Sequence, residues 1–146
     1  MYICSSSIAM SIEELNRLCR GTLIELLGIR FTAFTASTVE AVMPVTPQLF
    51  QPMGTVHGGA LIALAETVGS AGSFLLMDPD QYVVMGSVVQ SQHLSPARRG
   101  TLHASAVLTF KGDFKHIWDV EIKGEEGQLI SVSRVTNSVK PRKEEA

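Results

Sequence analysis

Residues 51–77 read QPMGTVHGGALIALAETVGSAGSFLLM, and the way this stretch folds decides the rest of the chain. It opens with turn chemistry at Pro52 and Gly54 and passes through His57-Gly58-Gly59. It then becomes a run of about 19 residues in which Glu66 is the one charged side chain before Asp78. Written as a helix at 1.5 Å per residue, the run is close to 30 Å long, roughly the diameter of a small domain. A helix apolar nearly all round belongs in an interior. A membrane span is the competing reading of such a length. However, Gly58, Gly59, Gly69 and Gly72, the hydroxyls of Thr67, Ser70 and Ser73, and a mid-run Glu66 would be costly in lipid, and the strands that follow need a core. The expectation is therefore one long helix at the centre of the fold.

Steps of three and four place Glu66 on a stripe with Ile62, Gly69, Ser70 and Ser73. Small residues beside a buried carboxylate leave space. Either something narrow lies alongside Glu66, or a second backbone approaches it.

At 146 residues the chain fits a single domain, expected over residues 11–139 between a loose leader (1–10) and a solvated tail (140–146). With 45% hydrophobic and 18% charged residues it has an ordinary globular composition. A net charge of −2 gives no reason to expect nucleic acid. Cys4 and Cys19 are too few for a disulfide framework, which points to a reducing, cytoplasmic setting. The opening MYICSSSIA lacks the basic start and apolar length of a secretory signal.

Ser11-Ile12-Glu13-Glu14 has the form of a capping box, and Leu15, Leu18 and Cys19 supply a helical face. Thr22 to Glu25 repeats the box, and Gly28 offers a stop. Period-2 patterning then takes over. Ile29, Phe31 and Ala33 alternate with Arg30 and Thr32, and Val39, Ala41 and Met43 alternate with Thr38 and Glu40. Residues 82–89 are valine-rich enough for a buried strand. Leu102, Ala104, Ala106, Leu108 and Phe110 share one strand face, and Trp118, Val120 and Ile122 another. Ile130 and Val132 open a last strand whose phase slips near Arg134, where a bulge is expected. A hairpin, one long helix and three or four consecutive antiparallel strands make an α+β architecture, with a sheet wrapped around a single helix.

The first amides of a helix lack intrahelical partners and sit at the positive end of its macrodipole. His57-Gly58-Gly59 therefore either offers a site for an oxygen carrying partial negative charge or simply satisfies a tight turn. Glu66 is either a working carboxylate or one paired with a buried cation or water. Eight residues separate it from Gly58, roughly 12 Å along the axis, too far for both to touch one carbonyl. If they act together they come from two subunits, in a two-fold dimer with antiparallel helices.

The residues Gln51-Pro52-x-Gly54-x-x-His57-Gly58-Gly59, then Glu66-x-x-Gly69-Ser70, resemble the core motif of the hotdog-fold acyl-CoA thioesterases, in the group acting on 4-hydroxybenzoyl-CoA, 1,4-dihydroxy-2-naphthoyl-CoA and the phenylacetyl-CoA pathway. The likeness extends to SPARRG at residues 95–100, to Trp118-x-Val120-Glu121-Ile122 and to Gly127-Gln128-Leu129-Ile130. It implies a hotdog fold, with an antiparallel sheet around one central helix. It implies Glu66 as nucleophile or general base, the Gly58 N–H polarising the thioester carbonyl, Gln51 and His57 orienting thioester and water, and Ser70 facing Glu66 across the pocket. It also implies a site shared between subunits of a dimer or tetramer. An aromatic or medium-chain acyl group is expected, with coenzyme A part of the substrate and no separate cofactor.

A fixed N–H at a helix start favours the charge that grows on the thioester oxygen in the transition state. Arg98, Arg99 and Lys115, like Lys111, lie by turns where coenzyme A phosphates could dock. His93, His103 and His116 show no ligand spacing, so no metal is expected. Two other readings use the same features: a hydratase or dehydratase of acyl thioesters, and a non-catalytic acyl-CoA-binding module.

Overall fold

The computed structural model describes residues 10–143, so all of the expected leader except Met10, and the last three residues of the expected tail, lie outside it. Two short helices, α1 (Ile12–Leu18) and α2 (Leu23–Leu26), precede the strands β1 (Arg30–Phe34) and β2 (Thr38–Pro44). A 3-10 turn (Pro47–Leu49) leads to the long helix α3 (Gly58–Leu76), followed by β3 (Tyr82–His93), β4 (Thr101–Lys111), β5 (Lys115–Lys123) and β6 (Leu129–Pro141). The six strands form one antiparallel sheet in the order β1-β2-β4-β5-β6-β3. The sheet packs around α3, as the resemblance implies.

Local chemistry explains the ends of the helices. Ser11 Oγ accepts from the Glu14 N–H at 3.1 Å, and the Glu14 carboxylate accepts from the Ser11 N–H at 2.8 Å, completing the capping box. The second box is not reciprocal. Thr22 Oγ1 caps Ile24, but the Glu25 carboxylate accepts instead from the Gly21 N–H. Gly28, at φ +73°, turns the chain out of α2, while Ile29 N–H reaches back to Ile24 O. Asn16 of α1 bonds both the N–H and the C=O of Phe31, standing in for a strand neighbour at the β1 edge.

Leu61, Leu64, Ala65, Val68 and Leu75 of α3 are buried, together with Val39, Ala41 and Met43 of β2, Leu102, Ala104 and Ala106 of β4, and Trp118, Val120 and Ile122 of β5. Each large side chain here contributes about 1.5–3 kcal/mol of burial. The sheet approaches α3 closely because Gly69 and Gly72 have no side chains. A β-carbon at Gly69 would stand 2.9 Å from Val135, and one at Gly72 would run into the Trp118 ring. Of the stripe expected around Glu66, Gly69 and Ser73 are thus used by the sheet. The length and apolarity of α3 serve this packing, although one side of the helix stays half-buried.

Four strand expectations need correction. A bulge at Thr32 puts Ala33 at the surface and Phe34 inward, and another at Thr109 leaves Phe110 exposed. β3 is an edge strand, not a buried one; Met85 and Val88 are about half exposed. The slip in β6 falls at Ile130, not Arg134, so Ser131, Ser133, Val135, Asn137 and Val139 face inward as one set. That strand runs to Pro141.

Candidate active site

Helix α3 carries both halves of the site at different heights. At its start His57 is the N-cap, its Nδ1 accepting from the Gly59 N–H at 2.8 Å. The Ala60 and Leu61 amides bond His57 O. Among the described residues, Gly58 is thus the first-turn amide left without an acceptor. Its lack of a side chain makes room for His93 at the end of β3; a β-carbon at Gly58 would meet the His93 Nε2 at 2.8 Å. Ser131 donates its one proton to Gln92 O at 3.1 Å, and the His93 Nδ1 lies 3.0 Å from Ser131 Oγ. Ser131 thus holds the ring through Nδ1, and Nε2 faces Gly58.

Gln51 lies in the turn just before. Its carboxamide oxygen accepts from the Met53 N–H and its nitrogen donates to Thr55 Oγ1 at 2.8 Å, leaving one N–H free. Gln51, Gly58, Leu61, His93 and Ser95 line a hollow of about 310 Å³. Its wall continues into the turn that carries Arg98 and Arg99, where Arg99 stands 3.8 Å from Glu126 and both side chains are exposed. Lys115 begins β5 at the far end of the sheet, roughly 30 Å away along β4. A single chain does not bring it to the two arginines.

Two turns further along α3, Glu66 and Ser70 line a separate cleft of about 530 Å³ walled by Leu15, Cys19, Phe31 and Phe74. The Glu66 carboxylate has no protein hydrogen bond or ion pair among the described residues. It lies against Gly86 of β3. Ser70 shares the cleft with it but donates its own proton to Asn137 Oδ1 at 3.2 Å. Burial raises the thiol pKa of Cys19, which lines the same cleft.

The expected residues thus fall into two groups, Gln51, His57 and Gly58 at one height and Glu66 with Ser70 at another. His93 was passed over in sequence. Its only signal is the alternation that puts it on the inward face of β3 with Val89 and Ser91, and nothing in the sequence says what it faces.

Residues 53–131 match the family model described as the thioesterase superfamily. A 1,4-dihydroxy-2-naphthoyl-CoA hydrolase of Escherichia coli is 35% identical over 130 residues, 89% of this chain and 95% of that protein. The crystal structure of a Haemophilus influenzae thioesterase superposes with a TM-score of 0.88 at 37% identity, covering 92% of this chain and 94% of the other. A Staphylococcus aureus thioesterase solved as a glutamate-to-alanine variant gives a TM-score of 0.81 at 37% identity, covering 82% of this chain and 99% of the other. It has also been solved as a glutamine-to-alanine variant, and the two substituted positions are fifteen residues apart.

Proposed function

The chain belongs to the thioesterase superfamily and is a thioester hydrolase, and on that premise we propose that it cleaves an acyl-CoA at a site shared by two subunits. One observation carries this reading: within one chain the free Gly58 amide and the Glu66 carboxylate border different hollows, yet both lie against the edge strand β3. A two-fold axis pairing two β3 strands antiparallel near their middles brings Glu66 of one subunit toward Gly58 of the other. The unpaired edge and the exposed Met85 and Val88 support such a contact.

In that arrangement the Gly58 N–H holds the thioester oxygen as charge develops on it. Gln51 offers its free N–H to the same group, and His57 holds the turn by capping α3. The partner subunit's Glu66 attacks the carbonyl carbon or takes a proton from water. The separation between Gln51 and Glu66 is also fifteen, the spacing of the residues substituted in the Staphylococcus aureus thioesterase.

The apolar cleft is in the size range of small-molecule pockets and takes the acyl group, aromatic or of medium length. The name of the Escherichia coli relative makes 1,4-dihydroxy-2-naphthoyl-CoA the first substrate to try. Arg98 and Arg99 are placed for the phosphates of coenzyme A. We assign the enzyme to the cytoplasm, as a dimer that pairs again into a tetramer.

Thiol release from benzoyl-CoA and 1,4-dihydroxy-2-naphthoyl-CoA tests the reading. Glu66→Ala should abolish it while leaving the circular dichroism spectrum unchanged; unaltered turnover rejects the mechanism. Transfer of solvent oxygen into Glu66 during turnover separates nucleophile from general base.

A further inference from the structure

Strands β4 and β5 are antiparallel neighbours with His103 opposite Lys123, so the chain entering β4 and the chain leaving β5 emerge side by side. The first of these segments carries Arg98, Arg99 and Gly100. The second, Gly124-Glu125-Glu126-Gly127, carries two adjacent carboxylates. Hydrogen bonds tie this second turn down. Gly124 N–H donates to Gln128 O at 2.9 Å, Gly127 N–H to Gly124 O at 3.0 Å, and Glu126 N–H to Gln128 Oε1 at 3.1 Å.

Both carboxylates face the arginine turn. Glu126 Oε1 stands 3.8 Å from Arg99 Nη2, and the Glu125 carboxylate lies over Gly100, where a β-carbon would stand 2.6 Å from its Oε2. Among the described residues Arg98 makes no ion pair. Two cations and two carboxylates thus share one end of the sheet, and their charges cancel where the diphosphate and phosphate monoester of coenzyme A are assigned. Both turns belong to the same chain, so a partner subunit adds to this balance without removing either carboxylate. Exposed charges a few ångströms apart still act on one another in water, and salt weakens the effect over a screening length of about 8 Å at physiological ionic strength.

We propose that Glu126, with Glu125 beside it, is a specificity-determining residue that weakens the enzyme's hold on the phosphates of coenzyme A, a resident counter-ion which they must displace from Arg99 or bind beside. This rests on the assignment of Arg98 and Arg99 to those phosphates. The phosphates lie far from the reacting carbonyl and meet the same charges before and during the reaction, so the effect falls on KM and leaves kcat alone. It falls equally on free coenzyme A, the product, whose release the same repulsion eases. A thioester of pantetheine, which carries no phosphate, is indifferent to it.

The test compares benzoyl-CoA with S-benzoylpantetheine in the wild-type enzyme and in Glu125→Gln, Glu126→Gln and the double variant, which keep the shape of each side chain. At low ionic strength Glu126→Gln should lower KM for benzoyl-CoA about threefold, and the inhibition constant of free coenzyme A by a similar factor. The double variant should go further. Salt at about 0.5 M should erase most of the difference. KM for S-benzoylpantetheine should not move. A merely structural role for the turn would change both substrates together at either salt concentration. Equal shifts for the two thioesters, or an unchanged or higher KM for benzoyl-CoA, overturn the proposal while leaving the assignment of the arginines intact. Arg98→Ala and Arg99→Ala test that assignment separately, since each should raise KM for benzoyl-CoA and not for S-benzoylpantetheine. If neither does, the phosphates bind elsewhere and this inference falls with the assignment.

Discussion

The carboxylate of Glu66 lies over the α-carbon of Gly86, so close that a methyl group there would contact Oε1 and stand 3.2 Å from Cδ. Gly86 leaves the space that the acid occupies, on a strand whose outer edge is unpaired. Gly86→Ala should displace the carboxylate and lower kcat/KM by about tenfold to a hundredfold, as expected when a reacting group moves by about 1 Å. The three atoms nearest that methyl group all belong to the Glu66 side chain, so the unfolding midpoint should move little. A steady-state assay with a thermal melt checks both, and full activity in the variant would mean that the carboxylate does not work from this position.

A site built from Glu66 of one subunit and Gly58 of the other predicts recovery from two inactive proteins. Glu66→Ala and Gly58→Val should each be inactive alone, the second because its side chain collides with His93. In a mixed dimer one of the two sites is intact. Random exchange of equal amounts should restore about a quarter of the wild-type activity. No recovery after unfolding and refolding the mixture together would place the whole site within one chain.

Gly72 stands where Trp118 closes on α3, and the indole cannot back away because its N–H is held by Ser73. Gly72→Ala should lower unfolding free energy by about 1–3 kcal/mol through overpacking, despite the better helix propensity of alanine. Denaturant titration measures this, and a stabilised variant would contradict the packing described.

His116 is buried on β5 with its Nδ1 unpartnered, and burial, followed by the charge of Lys111, pushes its pKa below the usual value. Its folded pKa is the lower one, so the unfolded chain binds more protons as pH drops below about 6.5. The neutral ring's contribution to stability is complete above that pH and is lost as pH falls toward the folded pKa. Chemical denaturation between pH 5 and 7.5 should show stability falling on the acid side, and His116→Phe should flatten this slope. An unchanged slope would assign the acid sensitivity to other groups.

Much of this was legible from local pattern. The capping box at Ser11, the long helix from Gly58 and the alternation in β4 and β5 depend on neighbours within a few residues. The errors came where alternation broke. Bulges at Thr32, Thr109 and Ile130 each insert one residue, and a period-2 count made through them assigns Ala33, Phe110 and Val132 to the wrong face. The valines of β3 suggested burial, yet its place at the edge of the sheet is a matter of strand order, to which composition is blind.

By itself the sequence determined that one apolar helix would sit in the curve of an antiparallel sheet, and that an acid and a glycine-rich turn on that helix lie too far apart to act on one bond. Both follow from helix rise and side-chain periodicity, which are properties of the chain over short distances. Only the tertiary structure decided that Glu66 lies over Gly86, that His93 faces Gly58, and that Asn137, 67 residues away, takes the proton of Ser70. Those pairs come from different strands brought against α3 by packing, and the energy that selects them belongs to the whole core, with no signature in any one stretch.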